Sequence, residues 1–153
     1  MDASNDIPYF PPYGLLKNAV KLNERKGTVT IPTPVFAMML RTIFEHIIEP
    51  EWYVSQNADV RDAQQKGLLE SGLDHYCKSG YFEGRLPRLF EVDEEWYREM
   101  YPDVDRGISA GRVATAHNHY NSNGYFEGRF PSPEAEEIAH LWMTVLAGGD
   151  TVA

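Results

Sequence analysis

The amino-acid sequence predicts an all-α fold of two tandem three-helix repeats with a 44-residue period, flanked by capping helices. Three observations predict it. First, residues 52–87 return without a gap at 96–131, so that Trp52 matches Trp96, Asp59 matches Asp103, Gly67 matches Gly111 and His75-Tyr76 matches His119-Tyr120. The run Gly80-Tyr81-Phe82-Glu83-Gly84-Arg85 returns as Gly124-Tyr125-Phe126-Glu127-Gly128-Arg129. A period of this size marks a supersecondary unit that buries its apolar face against a neighbour. Second, Phe36, Leu40, Ile43, Phe44 and Ile47 recur at helical spacings of three and four. Third, glycines and short polar residues fall where helices of such a unit would stop and start.

Residues 1–13 carry Pro8, Tyr9, Phe10, Pro11, Pro12 and Tyr13. Prolines at this spacing exclude a helix and point to an extended arm. Such an arm either lies over its own domain or docks on a partner. The rest, 14–153, reads as a single helical domain. Over 14–26 the apolar Leu15, Leu16, Ala19, Val20 and Leu22 alternate with Lys17, Lys21, Arg25 and Lys26, which predicts a short helix stopped by Gly27. A short extended stretch is expected over 28–31. Thr33 as N-cap and Pro34 in the first turn open the first capping helix, 34–48.

Repeat 1 covers about 50–88 and repeat 2 about 93–131. Pro50, or Asp93-Glu94, opens the first helix of each. Asp59 and Asp103 sit where a second helix begins, and Gly67 and Gly111 stop it. Ser71 or Thr115 opens a third helix, with Gly80 or Gly124 as its expected stop. A tight turn follows, with positive φ expected at Gly84 and Gly128, and leads into Pro87 or Pro131. Ser132-Pro133 starts the second capping helix, 133–147, with Glu134, Glu136 and Glu137 in its first turns and Ile138, Leu141, Trp142 and Val145 as its apolar face. Gly148-Gly149 ends it.

With 42% apolar residues the chain can build a core, and aromatics at 12% cluster in the repeats. A net charge of −9 argues against nucleic acid, which needs clustered Lys and Arg, and against an anionic membrane surface. Cys77 has no partner for an internal disulfide, and Asn121 replaces it in the second copy, so it reads as an incidental small residue. The apolar stretch 35–48 is interrupted by Arg41, Glu45 and His46 and is too short to cross a bilayer. The N-terminal stretch lacks the basic start and apolar core of a signal peptide. No membrane insertion and a reducing cytoplasmic setting are therefore expected.

The polar residues kept in both copies are Asp59/Asp103, His75/His119, Glu83/Glu127 and Arg85/Arg129. Two readings fit them. In one, His75, Arg85, His119 and Arg129 bind a ligand, the arginines gripping an anion and the histidines accepting hydroxyls. In the other, Asp59, Asp103, Glu83, Glu127, Gly84 and Gly128 are structural staples, each arginine pairing with a carboxylate of its own copy. Breaking a buried charged pair would then cost about 3–5 kcal/mol. The second reading is favoured, because duplicated units need the same internal bonds twice. There is no HExxH, Cys pair, Asp-rich loop, nucleophile elbow or phosphate loop, so neither a metal, a cofactor nor a catalytic residue is expected. Trp52, Tyr53, Tyr76, Tyr81 and Phe82 and their partners are mostly core, and an exposed subset would stack on sugar rings or on proline.

The second copy, with Trp96-Tyr97, Tyr101-Pro102-Asp103-Val104, Gly111, His119-Tyr120, Gly124, Glu127-Gly128-Arg129 and Pro131, resembles a helical repeat module of bacterial proteins. That module precedes glycosyltransferase domains or sits in large secreted and surface proteins, some with calcium-binding nonapeptides. The resemblance covers roughly 47–131. The first copy departs from it at Asn57-Ala58, where Tyr-Pro would stand. It implies a helical accessory unit loosely linked to cell-surface polysaccharide and carries no catalytic residues across. The sequence reading is a non-enzymatic protein-interaction adaptor or regulator in a bacterial cell, with a protein partner. The alternative is a carbohydrate-binding accessory module with a glycan as ligand.

Overall fold

The computed structural model describes residues 9–148, which form nine α-helices and one two-stranded antiparallel sheet. The chain divides into two compact units, Met1–Ile47 and Ile48–Ala153.

In the first unit, a single helical turn, α1 (Tyr13–Leu16), is followed by β1 (Lys21–Asn23), a 3-10 turn (Glu24–Lys26) and β2 (Thr28–Thr30). Lys21 faces Thr30, Leu22 faces Val29 and Asn23 faces Thr28. This overturns the helix expected over 14–26. The reason is local: the Asn23 side chain accepts the Lys26 N–H at 3.1 Å, and Gly27 takes φ +59°, which closes a hairpin onto the β-branched residues after it. Helical spacing before Gly27 was real, but strand pairing outweighed it. Helix α2 (Thr33–Phe44) then starts from Pro32, whose carbonyl accepts the Val35 and Phe36 N–H groups. The Thr33 side chain makes no cap bond, so Thr33 is the first helical residue and not the expected N-cap. Of the α2 stripe, Phe44 is buried while Phe36 and Ile43 are exposed. Tyr9, Phe10 and Pro11 of the arm line an apolar groove of about 400 Å3 with Pro34, Met38 and Met39 of α2. Residues 1–8 of the arm lie outside the described residues.

In the second unit the same order of elements appears twice. The first copy holds α3 (Pro50–Gln56), α4 (Ala58–Gln65) and α5 (Gly72–His75), and α5 widens into a π-helical stretch, Tyr76–Gly80. The second holds α6 (Glu94–Met100), α7 (Pro102–Ser109) and α8 (Ala116–His119), again followed by a π-helical stretch, Tyr120–Gly124. The pairs α3–α5 and α6–α8 suggest tandem units. Gly67 and Gly111 both take φ +69°, a left-handed stop that a Cβ would strain. Ser71 and Thr115 accept the N–H of Asp74 and Asn118, at 3.1 and 3.0 Å, and so start the third helix of each copy.

Gly80 and Gly124 are not the helix stops the sequence suggested. Both are buried last residues of the π-helical stretch, but helical bonding runs on past them, from Glu83 N–H to the Ser79 carbonyl and from Glu127 N–H to the Asn123 carbonyl, and the left-handed turn comes at Gly84 (φ +70°) and Gly128 (φ +72°). Their glycine identity has another cause. A Cβ on Gly80 would run into the Tyr53 hydroxyl, and a Cβ on Gly124 into that of Tyr97.

Tyr53 and Tyr97 are the centres of the two copies, each 0% exposed. Tyr97 packs with Val104, Ala116 and Tyr120, and around these lie Phe90, Trp96, Ile108 and Tyr125. Tyr53 and Tyr76 meet edge to face at 5.5 Å, as Tyr97 and Tyr120 do at 6.0 Å. Each copy also closes on itself. The Glu49 N–H donates to the Pro87 carbonyl at 3.1 Å, and the Asp93 N–H to the Pro131 carbonyl at 2.9 Å. Between the copies, Asn121 exchanges two hydrogen bonds with the Phe90 backbone, and Phe90 stacks on Tyr125 at 5.5 Å.

Helix α9 (Pro133–Leu146) follows, capped by Ser132. It was expected to cover the end of the second copy with its apolar face. Instead no residue of α9 is buried, because the second copy already encloses Tyr97, Val104, Ala116 and Tyr120 within itself. Ile138, Leu141, Trp142 and Val145 all stay exposed.

Candidate functional site

The two arginines that follow Glu-Gly are held inside their own copies. Arg85 reaches across the turn to the start of α4, donating Nη1 and Nη2 to the two oxygens of Asp59 at 2.9 and 2.7 Å. Its Nε donates to Glu83 at 2.6 Å and its Nη1 also to the Asn57 carbonyl oxygen at 2.9 Å. Arg129 repeats the pattern on Asp103 at 3.0 and 2.8 Å and on Glu127 at 2.6 Å. Where the first copy uses Asn57, the second places Tyr101 beneath the guanidinium, 4.8 Å from ring centroid to Cζ. The bonds from Arg85 and Arg129 lower the Asp59 and Asp103 pKa values from 3.8 to about 2. The carboxylates are nevertheless 62% and 54% exposed, so these are half-solvated clamps and not the buried pairs a 3–5 kcal/mol penalty would need.

His75 and His119 pair with the central tyrosines. The Tyr53 hydroxyl and His75 Nδ1 are 3.0 Å apart, and the Tyr97 hydroxyl and His119 Nδ1 are 3.1 Å apart. Burial pushes the Tyr53 phenol up to about 12 and the Tyr97 phenol up as well. Each histidine thus satisfies a buried hydroxyl. In each copy the histidine is thus engaged by a tyrosine hydroxyl and the arginine by two carboxylates. Gly84 and Gly128 mark the turns between Glu and Arg.

A different set of side chains lines a groove of about 600 Å3 between the two copies. Its first wall comes from α3 and the turn of the first copy, with Trp52, Gln56 and Arg85. Its second wall comes from α8, the π-helical stretch and the turn of the second copy, with His117, Asn118, Ser122 and Phe126. Of the four residues proposed from sequence as ligand groups, Arg85 alone lines this groove; His75, His119 and Arg129 do not. Sequence reasoning passed over Gln56, Asn118 and Ser122 because it searched for what the copies share. These positions are where the copies differ: Gln56 stands opposite Met100, His117 opposite Leu73, Asn118 opposite Asp74 and Ser122 opposite Lys78.

Among the described residues no group of three or more His, Cys, Asp or Glu side chains is placed to hold a metal ion. No described helix is long and apolar enough to cross a membrane. Cys77 is a partly buried thiol outside any disulfide. No protein-family model, curated protein or solved structure matches this chain.

Proposed function

We propose that this chain is a non-enzymatic interaction module, two tandem three-helix units of 44-residue period, that serves as an adaptor or regulator in a bacterial cytoplasm by docking a protein partner on α9. The observation that carries this reading is the uncovered face of α9. Ile138, Leu141, Trp142 and Val145 fall at helical spacings of three and four, and Trp142 is 64% exposed. Covering a large apolar side chain is worth about 1.5–3 kcal/mol, so a stripe of four is a substantial unused driving force. Tryptophan is also the residue most enriched where binding energy concentrates. A groove or amphipathic helix on a partner would match such a stripe.

The test is capture from the native host's extract by the wild-type chain and by Trp142→Ala and Leu141→Ser, with circular dichroism of each. The reading expects a partner retained by wild type and lost by both variants at unchanged helicity. Identical captured sets for all three would overturn it, as would a concentration-dependent dimer broken by the same variants.

A further inference from the structure

We propose that the groove between the two copies binds a neutral saccharide chain, with Trp52 and Phe126 as stacking surfaces and Gln56, His117 and Asn118 as its hydroxyl-binding groups. This activity is separate from the docking proposed for α9 and stands or falls without it.

Size and shape come first. A volume of about 600 Å3 lies inside the range of about 300–1,000 Å3 typical of ligand sites. The groove is open to solvent and not enclosed, which suits a segment of a polymer better than a buried small molecule. The aromatic groups come one from each wall, and Phe126 is 58% exposed. An exposed aromatic face is apolar yet electron-rich, and the C–H-lined face of a pyranose ring complements it.

Glu83 and Arg85 also line the groove and pair with each other, and the remaining polar groups are neutral. Gln56 donates to Ser55 Oγ at 3.2 Å, and its carbonyl remains to accept. Asn118 accepts the Thr115 hydroxyl at 2.7 Å, and its NH2 remains to donate. The His117 ring makes no hydrogen bond among the described residues. A sugar hydroxyl donates and accepts at once, so a mixed set of free donors and acceptors fits it. Charge decides against an anionic polymer. Arg85 is already matched by Asp59 and Glu83, and the chain carries −9 overall. A peptide is less well served, since neither wall includes a strand whose edge could pair with a main chain.

The pattern of divergence points the same way. The arginine clamps and the tyrosine–histidine pairs recur in both copies, as internal structure must. Gln56 and His117 stand opposite the apolar Met100 and Leu73, and the neutral Asn118 opposite the charged Asp74, yet the three come together at one place.

The experiment is calorimetric and NMR titration of the full chain with maltohexaose, cellohexaose and mannohexaose, beside polygalacturonate and decaproline. At least one neutral hexaose should bind, moving the amide signals of Gln56, His117 and Asn118. Phe126→Ala and Asn118→Ala should each weaken it about tenfold, the equivalent of about 1.4 kcal/mol. Met100→Ala, at the counterpart of Gln56, should leave binding unchanged. Because Trp52 is partly buried, Gln56→Ala serves as the folded substitute should Trp52→Ala unfold. No binding of any neutral hexaose at millimolar concentration overturns the proposal. So does preference for polygalacturonate or decaproline, and so does binding that the groove variants do not weaken.

Discussion

Replacing Gly124 by Ala tests how the second copy is held together. A Cβ there would strike the hydroxyl of Tyr97, with Tyr120 Cδ2 at 3.2 Å and Tyr97 Cζ at 3.5 Å behind it. Tyr97 is 0% exposed, and its hydroxyl is tied to His119, so the ring cannot move aside without losing that bond. Overpacking in a core costs about 1–3 kcal/mol. A weakened hydrogen bond adds about 0.5–1.5 kcal/mol. Against these, Gly→Ala at a helical φ recovers about 0.4–1 kcal/mol from the unfolded chain. The net loss should be about 2 kcal/mol, read from urea unfolding followed by circular dichroism. The diagnostic step is Tyr97→Phe, which removes the oxygen that the new Cβ would meet. Alone it should cost about 1 kcal/mol. In its background Gly124→Ala should cost less than about 1 kcal/mol, a coupling of about 1–2 kcal/mol within the range known for touching residues. A neutral Gly124→Ala, or costs that simply add in the double variant, would refute the account of why glycine stands there.

Three further outcomes follow from the clamps and turns. Arg85→Ala and Arg129→Ala should each lower unfolding free energy by about 1 kcal/mol, the upper end for solvated ion pairs, and a fall of about 3 kcal/mol or more in either, the scale of a broken buried pair, would show the solvated description to be wrong. Asp59 and Asp103 have folded pKa values near 2 against 3.8 for the free group, so the unfolded chain takes up their protons first as pH falls. Their stabilisation is therefore complete above about pH 4 and lost as pH falls toward 2. Asp59→Asn with Asp103→Asn should flatten the acid limb of a stability–pH curve in that window; an unchanged limb contradicts the assignment. Gly84→Ala and Gly128→Ala, at φ +70° and +72°, should each shift the urea midpoint down by the equivalent of about 1 kcal/mol, and an unmoved midpoint in both would remove the case for a strained turn.

The mostly helical class was legible because punctuation and period agreed: Gly67 and Gly111 ended helices, and Ser71 and Thr115 began them. The β1–β2 hairpin was not legible. Lys21, Leu22 and Asn23 carry no strand signature of their own, and only pairing with Thr28, Val29 and Thr30 makes them one. Gly80 and Gly124 were misread for a related reason. A glycine that makes room for a distant tyrosine looks, in sequence, like one that ends a helix. The groove was not legible either, because residues 56 and 118 are far apart in the chain and neither belongs to the repeated pattern. The exposure of the Asp–Arg clamps likewise depends on how the turn lies against α4 and α7, which spacing does not reveal.

The backbone bonds that close each copy, Glu49 to Pro87 and Asp93 to Pro131, have a consequence for how such a chain can grow. Where the polypeptide enters a copy it lies against the point where it leaves. Splicing in another 44 residues at that junction would stretch no existing connection and would leave each tyrosine centre as it stands. Length can thus change in whole steps by duplication or deletion of the gene segment. Each step would create one more junction like the present one, free to diverge on its own while the interiors on either side stay the same.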